Sequence, residues 1–180
     1  MLEQRIQQQF FDSADLKYQA AELLARPIAD ASAALLAALT NGGKVLTAGA
    51  GAGAALAPYF ARLLGGRFER ERPPLAALAL DPLDAVQQVR ALGLPGDVLL
   101  YIDDGEGHSS RTISAAQAKD MTIVVLAGRG ANAFSELLAE TDVLVAVPHE
   151  RPALVAEVQM LLLHALCDAV DFQLMGDQDP

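Results

Sequence analysis

The sequence has no tryptophan, one cysteine, and only 5% aromatic residues. With Cys167 alone, neither an intramolecular disulfide nor a cysteine-rich zinc site can form, and its place in an apolar helical run assigns it to packing. Cations are scarce as well: 13 Lys and Arg stand against 23 Asp and Glu, a formal net charge of -10. No basic run is long enough to follow a phosphate backbone, which argues against direct nucleic-acid binding and makes a basic protein partner electrostatically easier. Apolar runs stay short of the roughly 20 residues of a bilayer span. The Gln-rich, amphipathic residues 1–11 lack the three regions of a signal peptide. These absences predict a soluble cytoplasmic protein with no membrane partner. What is abundant is small and apolar: hydrophobic residues make up 52% and charged residues 20% of 180, enough to bury the core of a single globular domain.

Apolar positions recur in steps of three and four at Leu2, Ile6, Phe10, Ala14, Lys17 (its stem), Ala21 and Leu24, one face of a helix. Pro27 opens a second such pattern at Ile28, Ala31, Leu35 and Leu39, and Asn41-Gly42-Gly43 ends it with good C-cap chemistry. Two helices ahead of the first strand predict an antiparallel pair, residues 1–41, that packs on another copy of the chain. Residues 42–180 then alternate strands (44–48, 75–80, 98–102, 121–126, 142–147) with helices, the last from Pro152 to about Leu174. This order predicts an α/β fold: a three-layer α-β-α sandwich around a five-stranded parallel sheet, with a long C-terminal helix. Ligands on such sheets bind beyond the carboxyl ends of the strands, so the loops at 49–54, 103–110 and 128–132 carry the functional interest.

The first of these, Gly49-Ala50-Gly51-Ala52-Gly53-Ala54, turns an apolar strand into a helix. Glycines there permit a tight turn and expose backbone N–H groups at a helix N-terminus, a ready anion site. It fits the loose dinucleotide fingerprint, but the first acid after the second strand, Asp81, comes 32 positions after Gly49 instead of about 20. No Gly-Lys-[Ser/Thr] follows, which excludes a Walker A loop. Of His108, His149 and His164, the last shares a helix face with Glu157 and Asp168. That is the spacing of a general base with an orienting carboxylate, and equally of a structural i,i+4 pair.

The leading helices, Lys44-Val45-Leu46 with its glycine loop, and Gly66-Arg67-Phe68-Glu69-Arg70-Glu71-Arg72-Pro73 together resemble the sugar-isomerase (SIS) domain family. Gln88-Val89-Arg90-Ala91-Leu92-Gly93, Gly96-Asp97-Val98-Leu99-Leu100, Asp120-Met121-Thr122-Ile123-Val124, the helix with Cys167-Asp168 and Asp171, and Asp177-Gln178-Asp179 extend the resemblance over nearly the whole chain. Within the family it is similar to the phosphoheptose isomerase branch, and there to the replication-initiator-associating DiaA group, which are not isomerases. The resemblance implies a SIS fold, flavodoxin-like or Rossmann-like.

Against that branch the departures fall on the chemistry. Its first loop carries polar side chains where Ala50, Ala52 and Ala54 stand here. Its catalytic or metal-holding His, Glu, Gln and His fall on Tyr59, Leu63, Ala156 and His164, so the resemblance leaves His164 as the one surviving catalytic candidate, with no metal and no cofactor expected. Its hydroxyl-rich phosphate cradle becomes Asp103-Asp104-Gly105-Glu106-Gly107-His108-Ser109-Ser110. Carboxylates about 5 Å from a phosphate dianion each cost on the order of several kcal/mol at an effective dielectric near 20. The stretch between the second and third strands is also shorter than in the isomerases. Gly49, Gly51, Gly53, Ser109, Ser110 and Arg67 are then remnants of a ligand site. The implied role is a homotetrameric, non-catalytic adaptor for the initiator DnaA, with Leu174 and Met175 as the contact pair. The alternatives are isomerisation of sedoheptulose 7-phosphate, or sensing of a carbohydrate derivative by an altered pocket.

Overall fold

The computed structural model describes residues 1–103, 105, 110–128 and 130–176. The first element is one helix, α1 (Leu2–Thr40), with Pro27 inside it. The expected break at Pro27 does not occur. The buried residues Ser13, Leu16, Ala20, Leu24, Ile28, Ala31, Leu35 and Ala38 form a single stripe that passes the proline in register, and packing along that stripe outweighs the one backbone bond that Pro27 removes. The stripe also differs from the one expected: Leu2, Ile6 and Phe10 are exposed, and burial begins at Ser13, with Gln9 and Asp12 before it reaching Arg151, the residue ahead of the last helix.

After α1 the chain alternates β1 (Val45–Ala50), α2 (Gly53–Gly65), β2 (Ala77–Ala79), α3 (Ala85–Leu92), β3 (Val98–Asp103), α4 (Ser110–Gln117), β4 (Thr122–Ala127), α5 (Ala131–Ser135), β5 (Val143–Ala146) and α6 (Pro152–Met175). The five strands among the described residues form one sheet in the order β2-β1-β3-β4-β5, and every pairing is parallel. Strand β2 is shorter than expected and half exposed, because it lies at the sheet edge with one neighbour. Alternate residues of the central strands face opposite sides. Val98, Leu100 and Ile102 join α1, α2 and α6 in one apolar core. Leu99 and Tyr101 join Val89, Ile113 and Phe134 of α3, α4 and α5 in the other. The fold is therefore the three-layer sandwich that the sequence predicts.

As helices, α1 and α6 are each long and apolar enough to cross a membrane by length and composition, which corrects the reading from uninterrupted apolar runs. Ten residues of α6 are buried against the rest of the chain, and this burial accounts for its apolar character as a core helix.

Candidate active site

In a sheet of this order the chain leaves β1 and β3 in opposite directions, and the crevice between their carboxyl ends is where such folds bind ligands. Paired across that crevice are Ala50 of β1 and Asp103 of β3. The glycine loop forms its β1 side. A Cβ on Gly49 would lie 2.4 Å from the Gly53 carbonyl oxygen, and one on Gly53 only 2.1 Å from that of Ile102. These two glycines let the start of α2 sit against β1 and β3, and Gly51, with φ 56°, makes the turn. The loop is thus built for close backbone approach, and the first turn of α2 opens onto the crevice.

The β3 side differs from the sequence reading. Asp103 does not stand free in the crevice: it is buried, and its Oδ1 accepts the Gly105 N–H at 2.7 Å. The carboxylate thus turns its own loop instead of standing free in the crevice. Asp104, Glu106, His108 and Ser109 lie outside the described residues, as does the acidic terminus 177–180. Ser110 is the exposed first residue of α4.

Gln159, which the sequence reading passed over, closes the floor. Its amide Nε2 donates to the Asp103 carbonyl at 2.8 Å and to that of Leu126 at 3.1 Å, tying α6 to the ends of β3 and β4. Its Oε1 is buried without a hydrogen-bond partner among the described residues. The available signal was a lone amide on the face of α6 that carries Val155, Val158 and Leu162.

His164 sits farther down α6, and its partner is not a carboxylate. The Tyr59 hydroxyl lies 2.7 Å from Nε2, and the Phe68 ring packs over the imidazole at 5.4 Å between centroids. The expected constellation with Glu157 and Asp168 does not form. Glu157 accepts the Ser13 hydroxyl at 2.5 Å and faces Lys17 on α1, while Asp168 is exposed. Ala52, Ala55 and Tyr59 follow one another at i, i+3 and i+7, so one partly exposed stripe of α2 runs from the glycine loop to the imidazole. From Gly53 to Tyr59 it rises about 9 Å.

Arg67 does not join this group. It follows the far end of α2, about 20 Å from the glycine loop along the helix, and pairs with Glu71 on the surface. Leu174 and Met175 close α6, the first exposed and the second half-buried. Leu63 and Ala156 bring no donor atom to the imidazole, and among the described residues no three His, Cys, Asp or Glu side chains are grouped as metal ligands. The donor set around His164 does not fit a metal ion.

With the fold and site described, the chain can be set beside known proteins. Residues 9–128 match the SIS domain. The chain is 52% identical to the phosphoheptose isomerase of Methylibium petroleiphilum, with 99% of this chain and 98% of that protein aligned. To that of an Azoarcus species it is 46% identical, over 97% and 98%. The Methylibium alignment runs over 197 positions against the 180 residues of this chain, so this chain is gapped relative to its relative. Among solved structures it superposes on the phosphoheptose isomerase GmhA of Neisseria gonorrhoeae with a TM-score of 0.84 at 34% identity, covering 95% of this chain and 99% of that one. A phosphoheptose isomerase from Francisella tularensis gives 0.87 at 30%, covering 95% and 98%. These relatives overturn two expectations, the DnaA-binding adaptor and the non-catalytic role. Similarity over essentially the full chain is to proteins named as enzymes. The alanines of the first loop and the acidic third-strand loop weighed too heavily against catalysis.

Proposed function

The chain belongs to the SIS domain family, in its phosphoheptose isomerase branch, and on that premise we propose that it isomerises a phosphorylated sugar between ketose and aldose, with sedoheptulose 7-phosphate as substrate. The observation that carries the proposal is the similarity over nearly the whole chain to phosphoheptose isomerases. The layout of the site supports it. The phosphate takes the backbone N–H groups around Gly49, Gly51 and Gly53 at the positive end of α2, with the Ser110 hydroxyl at the start of α4. A seven-carbon chain with its phosphate spans about the same distance as the rise from Gly53 to Tyr59, so C1 and C2 lie beside the Tyr59–His164 pair.

The reaction removes a proton from C1 of the ketose, passes through an enediol and returns a proton to C2. Of two hydrogen-bonded groups, one accepts and the other donates. With Nε2–H donating to the Tyr59 oxygen, Nδ1 of His164 takes the proton from C1 and returns it to C2, while the Tyr59 hydroxyl gives its proton to O2 and regains one from O1. Phe68 keeps the ring from turning. No step runs through a metal. The chain works as a homotetramer, in which a second copy covers the exposed Leu2, Phe10, Phe11 and Leu23 of α1; light scattering of the purified protein reads the assembly. The function is tested by turnover of sedoheptulose 7-phosphate by the wild type and by His164→Ala. Loss of product in the variant supports the reading, and absence of product from the wild type removes it.

A further inference from the structure

Between α3 and α4, on the sheet face opposite His164, lies a cavity of about 290 Å³. Val86 and Arg90 line it from one turn to the next of α3, and Ser110, Arg111, Ser114 and Lys119 from the other side. Arg111, Ser114, Ala115 and Ala118 recur at i, i+3, i+4 and i+7, so they share one face of α4. The alanines keep the cavity open where larger side chains would fill it. An added Cβ on Gly93 would lie 3.7 Å from Lys119 Cβ, which puts Lys119 beside the end of α3, one turn beyond Arg90. Cations thus flank the groove at both ends, Arg111 in the first turn of α4 and Lys119 just past its last residue.

Three features separate this groove from an ordinary solvated surface. The chain has nearly twice as many acids as bases, yet no carboxylate lines the cavity among the described residues. Arg90, Arg111 and Lys119 have no ion-pair partner among the described residues, whereas Arg67, Arg72, Arg151 and Lys44 each have one. Ser114 shares a helix face with Arg111, three residues before it, and lines the same cavity. Fork-shaped donors and hydroxyls converging on a concave surface suit phosphate oxygens, and like charges held together favour a bound anion.

We propose that this groove binds a small organic phosphate carrying two or more negative charges, at a site that meets the crevice at the ends of β1 and β3 only at Ser110. Val86, Ala115 and Ala118 supply an apolar wall for its carbon portion. Guanidinium and ammonium groups at either end fit charges that are spread along the ligand better than a single compact ion.

The test uses the full chain with pyrophosphate and inorganic phosphate as probes, by titration calorimetry at low ionic strength. The variant Arg90→Glu with Lys119→Glu alters the groove away from Ser110 and the crevice. Arg5→Glu with Arg26→Glu, both exposed on α1, makes the same change in net charge elsewhere. The expected result is saturable binding of pyrophosphate, tighter than of phosphate, weakened at least about tenfold in the groove variant and little changed in the α1 variant. Equal weakening in both variants means diffuse charge and overturns the proposal. So does unchanged affinity in the groove variant, which assigns the probe to the crevice, and so does an absence of saturable binding to the wild type. Turnover of the sugar phosphate stays at its wild-type level in the groove variant, so this outcome is independent of the isomerase test.

Discussion

Replacing Arg72 with alanine removes the tie between α2 and α6 that keeps Tyr59 against His164. The Arg72 side chain is 1% exposed, and its Nε donates to Asp171 Oδ1 at 2.5 Å. Its other nitrogens donate to the carbonyls of Leu63 and Leu64 at 2.8 Å each and of Gly66 at 3.1 Å. These are carbonyls of the last turn of α2 and its cap, which have no partner within the helix. The planar fork of arginine serves a carboxylate and four carbonyls, that of Pro73 included, and a lysine ammonium cannot. In Arg72→Ala the Asp171 carboxylate stays buried, with its Oδ2 already unpartnered. Stranding one member of a buried pair costs about 3–5 kcal/mol, a large share of the roughly 5–15 kcal/mol that holds a domain folded. For a chain of this size that is a fall in Tm of about 10 °C. Urea unfolding followed by circular dichroism measures it, with Arg72→Leu plus Asp171→Leu as the companion. The double variant removes the stranded charge and is expected to recover about 1–2 kcal/mol relative to the single one. A loss below about 1 kcal/mol in Arg72→Ala, or a double variant no more stable than the single, refutes the reasoning.

Two further outcomes follow from the geometry. Gly53→Ala places its Cβ against the Ile102 backbone, which cannot swing aside, and is expected to cost about 3 kcal/mol or more. Gly51→Ala puts a side chain on a left-handed backbone, φ 56°, at about 1–2 kcal/mol, so urea midpoints should rank wild type above Gly51→Ala above Gly53→Ala. Burial, and then the neighbouring Asp171 carboxylate, push the Cys167 thiol from 9.0 up to about 12. The unfolded chain releases that proton near its ordinary value while the folded chain keeps it. Stability is therefore whole below pH 9 and declines as pH rises toward 12, by about 1.4 kcal/mol per unit. Urea midpoints at about pH 8 and about pH 10 should diverge in the wild type and converge in Cys167→Ala; an equal alkaline loss in both assigns the effect to another group.

The parts of this structure that were legible in the sequence are those set by local chemistry. Apolar runs separated by helical periodicity gave the five parallel strands, and the spacing of Gly49, Gly51 and Gly53 marked a turn with a helix packed hard against a sheet. What stayed hidden depends on partners distant in the chain. Pro27 looked like a helix boundary because its cost is local, while the stripe from Ser13 to Ala38 that overrides it is satisfied only by packing. Asp103 reads as a free acid, since nothing in the sequence shows its oxygen turned onto Gly105. For His164 the sequence shows only the acids on its own helix face, Glu157 and Asp168. Its actual partner, Tyr59, lies 105 residues away, and Glu157 is drawn off by Ser13 and Lys17. The acidic third-strand loop and the alanines of the first loop are conspicuous in the sequence, whereas the Tyr59–His164 contact shows only in the fold.

That pair is the centre of the account, and one assay addresses it directly: conversion of sedoheptulose 7-phosphate by the purified chain, with a chelator present, for the wild type, Tyr59→Phe and His164→Ala. The account predicts product from the wild type that persists with the chelator. It also predicts a rate at least about 100-fold lower in His164→Ala, with an intermediate loss in Tyr59→Phe. A wild type that yields no product, or a His164→Ala variant that works as fast as the wild type, contradicts it.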